Sequence, residues 1–141
     1  MSEIHEHHLI VRDEEIDPQG HANNVVYVQW MQDAAVAHSA SLGWPGRRYL
    51  DLGAGWVVRW HKIEYHAPAL AGDRVVVRTW VATMNKVTSL RRYRVLRLPD
   101  ETLLATAETL WAFISYATAR PTRIPPEIAG AFPLLPPLEA S

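Results

Sequence analysis

The order of the secondary-structure patterns along the chain is the feature that most restricts its fold. A single long helical pattern runs from about Asn24 to Leu42, and Gly43 and Pro45 end it. An apolar segment from His5 to Arg12 predicts one strand before this helix, and four strand candidates follow it. Short turn signals separate these four strands, which favours consecutive antiparallel hairpins.

The predicted strands after the helix are rich in valine or alternate between apolar and polar residues. They are Trp56 to His66, Arg74 to Met84, Val87 to Leu98 and Thr102 to Ala117. The segment from Leu42 to Gly55 is predicted to be a loop, because it is rich in glycine and contains Pro45. An antiparallel sheet of about five strands curled around one long buried helix, an α+β fold, suits this order.

The helical pattern is apolar around most of its circumference. Its valines, alanines, Trp30 and Met31 do not fall on one narrow stripe. A helix of this kind is normally buried, so we expect the sheet to curl around it. His38, near the predicted end of the helix, could be catalytic, but a histidine at this place is more often a partner of the helix dipole.

The segment just before the helix combines turn residues with polar side chains. Pro18 favours a turn at Asp17, and Gly20 allows backbone angles that other residues resist. The next residues can cap the helix with a side-chain oxygen. Four polar side chains, a carboxylate, a histidine and two carboxamides, are therefore expected where the helix begins: Asp17, His21, Asn23 and Asn24. The unpaired N–H groups and the positive end of the helix dipole lie at the same place.

A family resemblance rests on this junction. The motif Asp-x-x-Gly-His-x-Asn-Asn-x-x-Tyr-x-x-Trp, from Asp17 to Trp30, resembles the active-site segment of hotdog-fold acyl thioesterases. It is similar to the 4-hydroxybenzoyl-CoA thioesterase-like group and, in its His-x-Asn-Asn-x-x-Tyr part, to plant acyl-ACP thioesterases. The segment from Tyr65 to Asp73 resembles the second-strand turn of the same family. The resemblance implies a hotdog thioesterase domain over residues 1–120.

The resemblance also implies roles for the residues of the motif. Asp17 corresponds to the catalytic aspartate, which acts as a general base or as a nucleophile. His21 corresponds to an assisting histidine of the plant-like branch, and Asn24 stands where some bacterial relatives carry an active-site histidine. The chain departs from the plant-like branch at Gln19, Ala67 and Pro68. We expect the remaining motif residues to contact the substrate or shape its site: Gly20, Asn23, Tyr27 and Trp30.

Each of these residues also has a purely structural interpretation. Aspartate in an Asp-Pro turn, asparagine at a helix start and buried aromatic residues are all common without catalysis. Glu64 could be a second carboxylate near the site or a solvated strand residue. Asp13, Glu14 and Glu15 form a short acidic patch that we expect to be solvated.

Other charged residues allow two interpretations. The alternating histidines His5, His7 and His8 could bind a metal, although solvated polar residues near a terminus are the more common case. Several strand arginines could form a basic surface for the phosphates of coenzyme A, or a solvated sheet face: Arg59, Arg78, Arg91, Arg92, Arg94 and Arg97.

The function implied by the resemblance is hydrolysis of an acyl-CoA thioester by water, without a cofactor or a metal. A thioesterase for acyl-carrier protein and a non-catalytic module that binds acyl-CoA are the alternatives. The formal net charge of -1 gives no support to nucleic-acid binding. The 141-residue chain has no cysteine, no signal core and no apolar run of membrane-spanning length, so a cytoplasmic protein without a membrane partner is expected.

Two further expectations concern assembly and the end of the chain. A single curled sheet leaves long strand edges, which are normally paired or covered, so we expect a homodimer or homotetramer with its active site near the seam. Residues 121–141 are rich in proline and predict a tail that packs on the domain or is partly loose. A short helix is expected where Pro125 and Pro126 precede Glu127.

Overall fold

The computed structural model describes residues 3–135 of the chain. Their helices and strands, in chain order, are β1 His5–Ile10, α1 Asn24–Ser41, α2 Gly46–Leu52, β2 Ala54–Tyr65, β3 Arg74–Val81, β4 Thr88–Leu98, β5 Thr102–Ser115 and α3 Pro126–Ala129. A short 3-10 turn covers Asp13–Glu15. The five strands form one sheet in the order β1-β3-β4-β5-β2, and all neighbours are antiparallel. This α+β architecture of one curled sheet and one long helix confirms the predicted hotdog fold.

The main core lies between α1 and the sheet. Tyr27, Trp30, Met31 and Ala34 project from the helix into a cluster with buried valines of β3 and β4. The opposite side of the helix is open, because Val25 and Val36 keep 74% and 62% of their surface exposed. In a single protomer the sheet therefore covers one face of the helix and leaves the other face open.

A second core fills the other end of the sheet. It contains buried residues of α2, of the segment just before it, of the sheet and of the proline-rich segment: Trp44, Tyr49, Ala54, Val81, Phe113, Ile124, Ile128 and Phe132. The short helix predicted after Pro125 is confirmed as α3, which contributes the fully buried Ile128. The part of the predicted tail after residue 135 lies outside the described residues.

The segment predicted to be a loop before β2 contains the helix α2. Pro45 precedes this helix in an extended conformation, and Gly53 ends it in the left-handed region at φ 81°. The loop prediction is wrong because glycine and proline, which often signal loops, here mark the two ends of a short helix. Tyr49 anchors α2 by packing against the second core.

Strand β2 forms an edge of the sheet that has a partner on one side only. All of its ladder contacts within the described residues are with β5. Three large hydrophobic residues of this 12-residue strand are exposed: Val57, Trp60 and Tyr65. A long edge with exposed apolar side chains is a typical site for pairing with another strand.

None of the helices in residues 3–135 has both the length and the hydrophobicity needed to cross a bilayer.

Candidate active site at the start of the long helix

Asp17 lies in a tight turn that its own carboxylate stabilises. The backbone N–H of Asp17 donates to the carbonyl of His21 at 2.8 Å, and the N–H of Gly20 donates back to the carbonyl of Asp17 at 2.9 Å. Oδ1 of Asp17 accepts from the N–H groups of Gln19 at 3.0 Å and His21 at 3.4 Å. Gly20 has φ 86°, which a residue with a Cβ adopts only with strain. The turn therefore fixes the direction of the carboxylate, with Oδ1 bound to the backbone.

The helix begins shortly after this turn. Asn23 is the N-cap, and its side chain accepts from the N–H of Val25 at 2.9 Å. Asn24 is the first helical residue and is exposed. Within the described residues, its N–H has no hydrogen-bond acceptor. This N–H at the positive end of the helix dipole can donate to a negatively charged oxygen of a bound molecule.

Strand β2 reaches the start of the helix through Tyr65. The hydroxyl of Tyr65 donates to the carbonyl of Asn24 at 2.8 Å. Burial raises the pKa of Tyr65, so its hydroxyl stays protonated at neutral pH and can donate. The contact ties the unpaired edge of β2 to the candidate site.

Tyr27 and Trp30 lie beneath the junction rather than on its surface. Both are buried, and their ring centroids are 4.7 Å apart. Tyr27 also makes an edge contact with Tyr65, with centroids 5.1 Å apart. In the structure, these two residues therefore pack under the helix start. The motif residues Gly20, His21 and Asn23 lie at the surface.

Glu15 is held close to the same junction, an arrangement that the sequence did not indicate. Its Oε2 accepts from Nε1 of Trp30 at 3.1 Å, and its Oε1 accepts from the N–H of Arg12 at 2.9 Å. Its carbonyl accepts from the N–H of Asn23 at 2.9 Å. The expectation of a solvated acidic patch is wrong for this residue. The indole N–H of Trp30 needed an acceptor, but the sequence does not show which residue would supply it.

Most of the strand arginines are not free to form a basic surface, which was one of their two interpretations. Arg91 points into the protein and keeps 5% of its surface exposed. Ion pairs occupy three of the other strand arginines: Arg78 pairs with Glu6 and Glu101, Arg92 with Glu108, and Arg97 with Asp100. Pairing neutralises much of the charge on the outer sheet face. Apart from the buried Arg91, only Arg59 and Arg94 of this group have no ion pair in residues 3–135.

His38 is also buried, in contrast to its predicted role at the helix end. Its Nδ1 lies 3.0 Å from Nη1 of Arg91, and its ring stacks on His5. Burial, with the charges of Arg91 and His5, lowers the pKa of His38 to about 3. A neutral imidazole does not stabilise the helix dipole through charge. Because arginine can only donate, Nδ1 is the acceptor and Nε2 carries the proton.

The remaining candidates lie away from the junction. Glu64 lines a cavity of about 330 Å³ on the outer sheet face, together with Lys62, Arg92 and Arg94. It therefore lies on the opposite side of the sheet from α1. In the part of the chain that the structure describes, no group of three histidines or carboxylates is arranged to hold a metal ion, and this includes His5, His7 and His8.

Comparison with known proteins identifies the family. Residues 11–132 match the family model of the thioesterase-like superfamily. The chloroplastic acyl-acyl carrier protein thioesterase ATL3 of Arabidopsis thaliana is 28% identical over 134 residues, which cover 94% of this chain and 69% of that protein. The related ATL2 is 29% identical over 131 residues, with coverages of 92% and 68%.

Solved structures agree with this match. The hypothetical protein TT1821 from Thermus thermophilus has 30% identity and a TM-score of 0.84, covering 91% of this chain and 96% of that chain. Slr0204, a 1,4-dihydroxy-2-naphthoyl-CoA thioesterase from Synechocystis, has 18% identity and a TM-score of 0.85, with coverages of 92% and 95%. The chain belongs to the thioesterase-like superfamily of hotdog-fold proteins.

Proposed function

We propose that the protein is an acyl-CoA thioesterase and that Asp17 activates the attacking water. The observation that carries this proposal is the geometry of the junction, where two backbone N–H groups hold the Asp17 carboxylate directly before the start of α1. A carboxylate in a fixed position can act as a general base for a bound water. The CoA thioesterase activity named for the structural neighbour Slr0204 supports the choice of substrate.

The proposed reaction uses groups of the junction only. Asp17 removes a proton from water as the water oxygen attacks the thioester carbonyl. The N–H of Asn24 donates to the oxyanion that forms, and a preorganised donor of this kind lowers the barrier by about 3–4 kcal/mol in a measured protease. Collapse of the intermediate breaks the C–S bond, and coenzyme A leaves with a proton returned from Asp17. The products are a carboxylic acid and free coenzyme A, with no metal or cofactor.

The other motif residues have supporting roles in this proposal. Gly20 and Asn23 shape the turn and the helix start, and exposed His21 assists at the surface where coenzyme A would leave. A nucleophilic attack by Asp17 on the thioester is the alternative route, in which water hydrolyses an anhydride. Incorporation of ¹⁸O from water into Asp17 after a single turnover would identify that route.

We also propose a homodimer in which two β2 strands pair. The 12-residue β2 edge is unpaired in the protomer and carries exposed apolar residues. Tyr65 of β2 contacts the carbonyl of Asn24, so a partner on this edge would lie beside the proposed site. The acyl group would then bind at the seam of the two protomers.

Thioesters of acyl-carrier protein are the second candidate substrates. The Arabidopsis relatives ATL3 and ATL2 are named for this activity and are similar over more than nine-tenths of this chain. The ion pairs that neutralise several of the strand arginines also remove much of the surface expected to hold the phosphates of coenzyme A.

The decisive experiment measures thiol release from a panel of short, long and aromatic acyl-CoAs, and from the same acyl groups on carrier protein. We expect turnover with acyl-CoA, and a loss of about 10²-fold or more in kcat for Asp17→Asn, because general-base catalysis contributes that much. The amide that this substitution introduces can still accept from the two backbone N–H groups through its oxygen, so the turn should persist.

Asp33→Asn is the matched control, because Asp33 is an aspartate within α1 that pairs only with Gln29 in the described residues. Its rate should equal that of the wild type. Full activity in Asp17→Asn would reject Asp17 as the base. Turnover of carrier-protein thioesters alone would favour the second substrate class, and tight binding without turnover would favour a non-catalytic module.

A further inference from the structure

A second site is suggested by a cavity far from Asp17. The cavity has a volume of about 200 Å³ and lies between the later half of α1, α2 and the sheet. Ser39 of α1 is one of its lining residues, about fifteen residues beyond the helix start, which corresponds to roughly 22 Å along the axis. Asp17, His21 and Asn24 are absent from its lining, so it is separate from the junction within a protomer.

The cavity is lined mostly by aromatic and aliphatic side chains, among them Trp44, Trp56 and Phe132. Its mouth is marked by lining residues that are exposed, Val36 and Tyr116. Apolar walls around a concave site are typical of places that bind small organic molecules.

Most polar groups of the lining already satisfy one another. Oγ of Ser39 donates to the carbonyl of Trp44 at 2.6 Å and shares a hydrogen bond with the hydroxyl of Tyr49 at 2.8 Å. Nε1 of Trp56 donates to the same hydroxyl at 3.2 Å. Oγ of Ser89 donates to the carbonyl of Thr83. These groups therefore do not require a ligand.

Arg91 differs from these groups, because it is a buried cation without a counter-ion. No carboxylate of residues 3–135 lies within 4.0 Å of its guanidinium nitrogens. Its Nη1 donates to Nδ1 of His38 and to Oγ1 of Thr79, both at 3.0 Å, and these acceptors are neutral. Arginine does not lose its proton in proteins. A buried charge that lacks an opposite charge is costly, and an anion bound beside it would remove that cost.

We propose that this cavity binds a small organic carboxylate, with the carboxylate on the guanidinium of Arg91 and the apolar part between Trp44, Trp56 and Phe132. The planar fork of the guanidinium matches the two oxygens of a carboxylate. Aromatic walls suit a ring or a short branched chain. The volume lies below the roughly 300–1,000 Å³ of pockets for drug-sized ligands, which limits the ligand to about one ring. The site does not depend on the proposed thioesterase activity.

Titration of the ¹⁵N-labelled protein with benzoate tests the proposal, with uncharged benzamide as the matched ligand. Three of the six tryptophans line the cavity, Trp44, Trp56 and Trp111, and the other three do not. We expect benzoate to shift the indole N–H signals of these three and to leave Trp30, Trp60 and Trp80 unchanged. Benzamide should bind at least about tenfold more weakly, because charge-assisted hydrogen bonds are the stronger ones.

Two variants complete the test. Arg91→Met should weaken benzoate binding by at least about tenfold without changing benzamide binding, since methionine keeps much of the side-chain volume and removes the charge. Arg92→Met should bind benzoate as the wild type does, because Arg92 pairs with Glu108 on the outer face of the sheet. The variants are checked for folding by circular dichroism.

Three outcomes with the wild type would overturn the proposal. They are equal affinities for benzoate and benzamide, no indole shift at all, and indole shifts confined to Trp30, Trp60 and Trp80. Unchanged benzoate affinity in folded Arg91→Met would do the same. If Arg91→Met does not fold, the two ligands and the six indole signals of the wild type decide the question by themselves. Failure of this binding test would leave hydrolysis at Asp17 unaffected, because the thiol-release assay measures a different site.

Discussion

At the scale of single residues, the most unusual group is a histidine that stays neutral in acid. His38 is buried against Arg91 of β4, His5 of β1 and Phe132 of the C-terminal segment. Burial contributes most to the low pKa of His38, and the nearby basic groups Arg91 and His5 lower it further. Protonation of His38 would place a second positive charge beside Arg91 and remove the acceptor that Arg91 uses.

The stability of the protein should therefore fall in mild acid. The unfolded chain binds a proton at His38 below its ordinary pKa of 6.5, whereas the folded chain does so only near pH 3. Unfolding takes up this proton, so the free energy of unfolding decreases as pH falls from 6.5. Between pH 7 and pH 5 the loss is about 2 kcal/mol for this one group.

His38→Gln is the variant that isolates this effect, because its amide oxygen can still accept from Arg91 and does not titrate. Urea unfolding of both proteins at pH 7 and pH 5 provides the measurement. The wild type should lose about 2 kcal/mol more than the variant over this range. Parallel losses in the two proteins would show that His38 is not the group responsible.

Local and distant contacts differ in how well the sequence predicts them. The Asp17 turn and the Asn23 cap depend on hydrogen bonds between residues two to four positions apart, and turn preferences predict such contacts. The bond of Arg91 to His38 joins residues 53 positions apart, and that of Trp30 to Glu15 joins residues 15 apart. No local pattern predicts these pairings, which is why the sequence alone favours a surface position for Arg91 and Glu15.

At the scale of elements, the sequence predicts the long helix almost to its ends. The predicted bounds, Asn24 to Leu42, differ by one residue from the observed Asn24–Ser41. The agreement is close because the capping residue and the stop signal at Gly43 both act locally. Strand β3 ends at Val81 rather than Met84. The N–H groups of Ala82 and Thr83 both donate to the carbonyl of Leu90, so the regular pairing with β4 ends there. The end of β3 depends on this contact with another strand, which the local sequence does not show.

The start of α1 offers a matched pair of substitutions. Asn23→Ala should destabilise the protein by about 1 kcal/mol, because it removes the side-chain acceptor for the N–H of Val25. Asn24→Ala places a better helix former in the first turn and should leave stability within about 0.5 kcal/mol of the wild type. Urea denaturation measures both values. A larger loss in Asn24→Ala than in Asn23→Ala would contradict the assignment of Asn23 as the cap.

At the scale of the whole molecule, the open side of the protomer explains why association is expected. The sheet order places β2 and β1 at opposite edges. The order of strands and turns in the sequence predicted the fold, but the fraction of the helix that remains exposed could not be predicted. That fraction depends on the curvature of the sheet and on a partner, and neither is encoded in a local pattern.

Val57→Lys tests the proposed β2 seam. Val57 is exposed on β2, and a lysine on an edge strand opposes pairing. We expect the variant to sediment as a monomer in analytical ultracentrifugation at concentrations where the wild type is a dimer, and to lose most of its thioesterase activity. Ile10→Lys is the control, since Ile10 is exposed on the opposite edge strand. Monomers that keep full activity would contradict a shared site.

The C-terminal segment has a consequence for synthesis of the protein on the ribosome. Ile124, Ile128 and Phe132 lie in the second core, and the N–H of Leu135 donates to the carbonyl of Val81. The sheet can therefore begin to assemble while the chain is growing, but its far end stays uncovered until residues 121–135 have been translated and released. Nascent chains that stall before this point would expose Trp44 and Phe113, and we expect them to be bound by chaperones.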